Sequence, residues 1–288
     1  MQSEVQDLID KINKSRSKMS KGQRAISDYV IKNYDKAAFM TAAKLGKTVG
    51  VSESTVSRYA MQLGYDGYPE LQKAFQRLVK NKLTTVQRME LSSEQTNADI
   101  LKNVLKTDIN NIRATIDEID DAAFDKIVEQ ICSAQNIYLL GLRSAATTIQ
   151  FMGYYLNFIL PNVHVITSGV SDIIEQLSHI KAGDVLVTLS FPRYARRTVD
   201  GVEYAKKRGA QVAVITDNED SPLVPYADYV LYARSDMTSF VDSLVAPMSL
   251  VNAILIAVSV AKKQESVDNF SNLESIWRNY GVYKGKEE

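Results

Sequence analysis

Residues 41–71 read TAAKLGKTVGVSESTVSRYAMQLGYDGYPEL, and the chemistry open to their polar side chains is recognition of a nucleic acid. Thr41 can cap a short helix whose Ala42, Leu45 and Val49 share one side. Gly50 supplies the residue a tight turn needs, and Ser52 can cap a second helix that ends at Gly64. Two short helices joined by a glycine turn make a helix-turn-helix. In the second of them Val56, Tyr59, Ala60 and Leu63 form the stripe to be buried, which leaves Ser54, Thr55, Ser57 and Arg58 outward near its start. That end of such a helix meets base edges in the major groove, and its free N–H groups favour a phosphate. Arg58 can grip a guanine edge through two hydrogen bonds, whereas Ser54 and Thr55 can reach a base or a phosphate. Lys44 and Lys47 on the preceding helix, with Lys21 and Arg24, are placed to neutralise backbone charge. Each residue alone is also what a solvated helix carries; the array as a whole points to DNA.

Other chemistries find less material. The two histidines, His164 and His179, have no Cys, His or carboxylate at metal-ligand spacing, so no metal or other cofactor is expected. The lone Cys132 cannot form an intramolecular disulfide and suits a reducing cytosol. Ser144 and Ser190 lack the flanks of a nucleophile elbow.

The elements that must hold these residues follow from length, charge and periodicity. At 288 residues the chain has room for about two domains. Its 34 Lys and Arg balance its 34 Asp and Glu, but unevenly. Residues 1–80 carry 14 basic against 8 acidic residues, and the remainder 20 against 26, so a basic head joins an acidic body. The first 80 residues read as helices only. Residues 81–99 lose apolar periodicity and serve as a connector, followed by a helix over 97–118 with Ile100, Val104, Leu105, Ile109, Ile112 and Ile116 on one side. Beyond a helix at 121–133, short apolar runs at 136–141, 163–167, 184–190, 211–216 and 228–233 alternate with helical stretches, including 144–160, 171–180 and 195–208. Strands apolar nearly throughout are those of a parallel sheet covered on both faces. The fold class is therefore α + α/β: an all-helical helix-turn-helix domain (1–80), a linker and connecting helix (81–120), and a doubly wound parallel-sheet domain (121–288). Ligands of such sheets sit beyond the carboxyl ends of the strands where strand order reverses. The apolar run 245–261 is too short for a membrane span and contains Pro247 and Asn252, so it is expected as a buried or interface helix. No secretory leader is visible, and a cytoplasmic location is expected.

The stretch VSESTVSRYAMQLGYDGY resembles the helix-turn-helix of the RpiR-type bacterial transcriptional regulators on Val51, Ser52, Thr55, Val56, Arg58, Leu63, Gly64, Gly67 and Tyr68. Gly46 departs from the alanine usual there, and a close contact is expected to require it. The resemblance covers the rest of the chain, because members carry a C-terminal sugar isomerase (SIS) domain. It implies a phosphosugar site in the loops after the first and third strands, here GLRSAATT (141–148) and SFPRYARRT (190–198). Both depart from the family's small-residue cradle. Arg143 stands on the second glycine of the first loop with Ser144 beside it; in the other loop Ser190 keeps its place, while Pro192, Arg193 and Ala195 fall on a Ser/Thr, a Gly and a Thr. The candidate ligand residues are Arg143, Ser144, Ser190, Arg193, Tyr194, Arg196, Arg197 and Thr198, since guanidinium groups bind phosphate or carboxylate bidentately. Alternatively the arginines pair with nearby carboxylates and the pocket is vestigial, used only for oligomerisation. Glu175 is the best-placed base for a third reading, a sugar-phosphate isomerase. The expected function is a non-enzymatic regulator that binds double-stranded operator DNA as a homodimer or homotetramer and senses a small anionic metabolite.

Overall fold

A computed structural model describes residues 2–79, 85–90, 96–169 and 171–283. The chain divides into two compact units, residues 1–94 and 95–288.

The first unit is helical: α1 (Gln2–Ser15), α2 (Lys21–Ala37), α3 (Ala42–Val49), α4 (Glu53–Gln62), α5 (Tyr68–Val79) and the short α6 (Thr85–Glu90). Local signals start these helices. Ser20 and Gln23 close a capping box on α2, each side chain accepting from the other's backbone N–H at 3.3 and 2.9 Å. Ile12, Ile26, Val30, Leu45, Val56, Tyr59, Leu71 and Phe75 are wholly buried and form the core. The chain just past α2 leaves carbonyls without helical partners, and α5 supplies donors to them at every fourth residue. Tyr68 donates to Met40 O at 2.8 Å, Gln72 to Met40 O at 3.0 Å and Gln76 to Ala38 O at 3.1 Å. Burial raises the Tyr68 hydroxyl well above the usual tyrosine range, so it remains a donor. The aromatic of the Gly67-Tyr68 pair thus acts as a staple between helices. Much of the expected connector at 81–99 lies outside the described residues, with α6 inside it.

The second unit contains α7 (Asn97–Glu118), α8 (Asp121–Ser133), β1 (Ile137–Leu140), α9 (Ala145–Ile159), β2 (Val163–Ile166), α10 (Ile173–Gln176), β3 (Val185–Leu189), α11 (Arg196–Lys207), β4 (Gln211–Thr216), β5 (Tyr229–Tyr232), α12 (Val245–Ala261) and α13 (Lys263–Asn279). The five strands form one parallel sheet in the order β2-β1-β3-β4-β5. Alternate residues of each strand serve opposite layers. Leu139, Val187 and Ile215 pack with α8, α9 and α12 through Ile131, Ile149 and Ile254, while Leu140, Leu186 and Val214 pack with α11 through Val202 and Ala205. This is the doubly wound α/β architecture expected.

Two elements differ from expectation. The stretch 171–180 holds a single helical turn, α10, capped by Asp172; Leu177 and Ile180 then reach the core through a turn in which the Ile180 N–H meets Leu177 O at 3.0 Å. The apolar side of α7 is also not its buried side. Of that row Val104, Leu105, Ile109 and Ile116 are exposed and Ile100 and Ile112 half-buried, whereas Asn111 and Thr115 are buried at 2% and 5% exposure. This helix packs on α12 within the second unit, so it is more than a free connector. Among the described residues no single helix is long and apolar enough to cross a membrane, and α12 meets α13 at a bend of 101°.

Candidate functional site

The helix-turn-helix is built by its caps and its turn. Thr41 Oγ1 accepts from the Lys44 N–H at 3.1 Å, and Ser52 Oγ accepts from the Thr55 N–H at 3.3 Å. Between them Gly50 ends α3 at φ 77°, a conformation that costs glycine least. Val56, Tyr59, Ala60 and Leu63 are buried as their spacing predicts. Burial pushes the Tyr59 hydroxyl up to about 12, and Ser27 Oγ donates to it at 3.4 Å. The opposite side of α4 is left to solvent: Ser54 and Arg58 are exposed, Thr55 and Ser57 half-buried. Ser52, Ser54 and Thr55 share hydroxyl contacts of 2.9 Å, and Arg58 Nε donates back to Ser54 O at 3.2 Å. Lys44 and Lys47 of α3 and Lys21 and Arg24 of α2 are exposed. Thr41 and Ser52 therefore shape the surface as caps, while Ser54 and Arg58 are the side chains most available to a base.

The departure at Gly46 has a geometric cause. A Cβ there would lie 2.8 Å from the carbonyl oxygen of Val51, in the turn itself, and the Val51 N–H is bonded to Gly46 O at 2.8 Å. Alanine is favoured inside a helix by up to about 1 kcal/mol, but displacing backbone costs more, typically about 1–3 kcal/mol. Gly46→Ala is expected to destabilise the full-length protein by about 1–2 kcal/mol, read by denaturant unfolding followed in circular dichroism. An unchanged midpoint would mean that the turn yields without cost.

In the second unit the strand order reverses between β1 and β3, and both following loops open on that point. Two threonines fix where those loops begin. Thr188 Oγ1 donates to Leu140 O at 2.9 Å and Thr216 Oγ1 to Ser190 O at 2.8 Å. Between the loops lies a cavity of about 260 Å³ whose lining includes Arg143, Ser144, Ser190, Arg193 and Asp242. The helices α9 and α11 start at this cavity, and neither Ser144 nor Ala195 caps its helix through a side chain. Their first backbone N–H groups, at the positive ends of two helix dipoles, suit an anion.

Arg143 and Arg193 adopt left-handed backbone at φ 57° and 65°, the only non-glycine residues to do so among the described residues. These are the two positions at which the resemblance places glycine. The backbone of the glycine cradle persists with arginine side chains on it, at a cost of about 1–2 kcal/mol each.

The other predicted ligand residues are not brought into this lining. The side chains of α11 diverge by about 100° per residue, so its first turn cannot face one point. Arg197 pairs with Asp172, the cap of α10. Tyr194 donates to Asp217 Oδ1 at 2.6 Å, and burial together with the Asp217 charge raises its hydroxyl far above the ordinary range. Thr198 is buried, its hydroxyl without a hydrogen-bond partner, and Arg196 is exposed outside the lining. Asp242 carried no local signal, because it comes from the irregular segment between β5 and α12. Glu175, the candidate base, accepts from the Asp172 N–H at 2.9 Å in the capping box of α10. The histidines lie apart, along a wider groove of about 910 Å³ at the β2 edge, where His164 stacks on Tyr138 at 4.9 Å. That groove is larger, but it is open and remote from the strand-order reversal.

Comparison with known proteins divides the chain similarly. Residues 6–82 match the helix-turn-helix domain of the rpiR family and residues 130–257 match the SIS domain. An uncharacterized HTH-type transcriptional regulator of Clostridium perfringens is 23% identical over 237 residues, 81% of this chain and 84% of that protein. The sugar isomerase domain of an RpiR transcription factor from Sphaerobacter thermophilus superposes with a TM-score of 0.59 at 26% identity, over 62% of this chain and 99% of that one. The Vibrio vulnificus NanR protein, complexed with ManNAc-6P, has the same fold with a TM-score of 0.57 at 19% identity, over 95% of this chain and 98% of that one.

Proposed function

Because the chain belongs to the RpiR-type transcriptional regulators, with a helix-turn-helix domain and an SIS domain, we propose that it is a cytoplasmic, metabolite-responsive regulator rather than an enzyme. The helical domain, residues 1–80, binds double-stranded operator DNA. Ser54, Thr55, Ser57 and Arg58 read the site, Lys44 and Lys47 meet phosphates, and Thr41 and Ser52 present their helix starts. The α/β domain, residues 121–288, binds a small anionic metabolite, of which a phosphosugar is the best candidate; NanR, which shares the fold, is complexed with one. The observation that carries this half is the pair Arg143 and Arg193. Strained backbone persists at a site only where the surrounding structure imposes it, and here it sets two arginines in the lining of a cavity beside two helix starts that no side chain caps. Tyr194 and Arg197 act behind that pair, anchoring the loop and the start of α11 through Asp217 and Asp172.

Two half-sites call for two heads, so the working form is a homodimer or a homotetramer. The exposed apolar side chains of α7, with Val245, Ile256 and Val260 of α12, suit a second copy of this chain. Fluorescence anisotropy of the full-length protein on DNA flanking its own gene tests both halves. Binding is expected to be sequence-specific, to fall steeply with salt, and to change on adding one of a panel of phosphosugars. If no member alters affinity or melting temperature, the sensing half is wrong.

A further inference from the structure

After β5 the chain leaves the sheet and runs through residues 233–244 to α12 without regular structure. On the way it is bonded to α7 by polar side chains. The Arg234 N–H donates to Thr115 Oγ1 at 2.9 Å. Asn111 exchanges two bonds with Asp236, donating through Nδ2 to its carbonyl at 3.0 Å and accepting its N–H at 3.2 Å. Thr238 Oγ1 donates to Thr107 Oγ1 at 3.3 Å, Ser243 Oγ donates to Asp108 Oδ1 at 2.6 Å, and Arg234 pairs with Glu118.

The spacing explains why one segment can make so many bonds. Residues 115, 111 and 107 follow one another every fourth position along a helix, which is about 6.0 Å. Their partners 234, 236 and 238 follow every second position, which in extended chain is about 6.6 Å. The two repeats match, so three successive pairs stay in register as the segment runs antiparallel to α7. Asn111 and Thr115 are nearly fully buried, and buried polar groups are stable only when bonded. This seam, and not the apolar row, decides which side of α7 faces inward. The segment then delivers Asp242 into the lining of the cavity that holds Arg143 and Arg193.

We propose that α7 builds one wall of the ligand pocket: Asn111 and Thr115 are positioning residues that hold segment 234–243 and, through it, Asp242. Pocket occupancy and the setting of α7 are then coupled. This rests on reading the cavity as the ligand pocket. A carboxylate among arginines opposes a ligand that offers only negative charge and accepts from one that also carries hydroxyl groups. A ligand that bonds Asp242 pulls on the segment, and the segment is tied to the helix that follows the connector to the DNA-binding head. By linkage, whatever resets α7 alters the pocket to the same degree.

Hydrogen exchange on the full-length protein tests the seam with or without a known effector. Thr115→Val, which keeps the shape and loses the hydroxyl, and Asn111→Ala are each expected to speed exchange across 234–243 about tenfold, the factor one lost hydrogen bond brings. Thr115→Ser keeps the hydroxyl and is expected to behave as wild type. Millimolar inorganic phosphate is the pocket probe: it should slow exchange at 143–146 and 192–195 in every variant, but at 107–115 only in wild type and Thr115→Ser. Unchanged exchange at 240–243 in both Thr115→Val and Asn111→Ala overturns the proposal, as does Thr115→Ser behaving like Thr115→Val. If phosphate leaves 143–146 and 192–195 of the wild type unaltered, the pocket reading fails and the coupling falls with it. The exchange difference between the Val and Ser variants is a separate result and tells the two failures apart.

Discussion

Arg58→Ala is expected to weaken binding to the specific operator by about 1–3 kcal/mol, or roughly 5- to 150-fold, with little loss for unrelated DNA. The side chain stands exposed near the start of α4, on the side opposite the buried Val56, Tyr59 and Ala60. Its Nε is occupied by Ser54 O at 3.2 Å, which holds the side chain along the helix and leaves the terminal nitrogens to make the paired contact a guanine edge accepts. A lysine at this position has the charge without the fork, so Arg58→Lys should keep non-specific affinity and fail to restore specificity. The check is anisotropy on the operator and on scrambled DNA over a salt series. If Arg58 contacts a phosphate instead, all sequences weaken alike and the salt slope falls by about one. Equal binding by wild type and Arg58→Ala would remove this residue from the interface.

The second large effect separates backbone from side chain in the proposed ligand pocket. Changing both Arg143 and Arg193 to glycine removes two guanidinium groups while leaving the left-handed backbone easier to adopt. Loss of a hydrogen bond to a charged group costs about 1.5–3 kcal/mol, so each substitution should weaken an anionic ligand by roughly 10- to 150-fold. Stability should move the other way or not at all: relief of about 1–2 kcal/mol of strain per site is partly offset by the 0.5–1 kcal/mol or so that glycine's flexibility costs. The alanine pair keeps the strain and loses the charge. The expected order is therefore glycine variant at least as stable as wild type, alanine variant no more stable, and both unresponsive to the phosphosugar that shifts wild-type DNA binding. Thermal unfolding with and without that ligand reads both quantities. A glycine variant that still responds would show that helix N-termini and Ser190 suffice and that the arginines serve another purpose.

The helix-turn-helix was legible because its signals are local. Thr41, Gly50 and Ser52 act on residues three or four positions away, and the stripe of Val56, Tyr59, Ala60 and Leu63 depends only on helical period. The same holds for the strands, whose apolar runs announce a sheet covered on both faces. The two loops of the proposed pocket were chosen through the resemblance and through the rule that such sheets bind at the reversal of strand order. Within them, single residues were less legible. Arg143 and Arg193 reach the cavity, while Tyr194 and Arg197 turn to Asp217 and Asp172, partners 23 and 25 residues away in sequence.

What the sequence by itself determined was therefore the order of elements, the caps that start them, and the basic head on an acidic body. What only the tertiary structure decided was which side of α7 faces inward and which distant residue, Asp242, joins the lining of the cavity between the loops. Periodicity assigned α7 an apolar inner face, but Asn111 and Thr115 lie there instead, bonded to a segment 119 to 125 residues away. Local periodicity measures how an isolated helix sheds water. A partner that offers a matched row of backbone hydrogen bonds changes which face is best buried, and such a partner becomes visible only when the chain has folded.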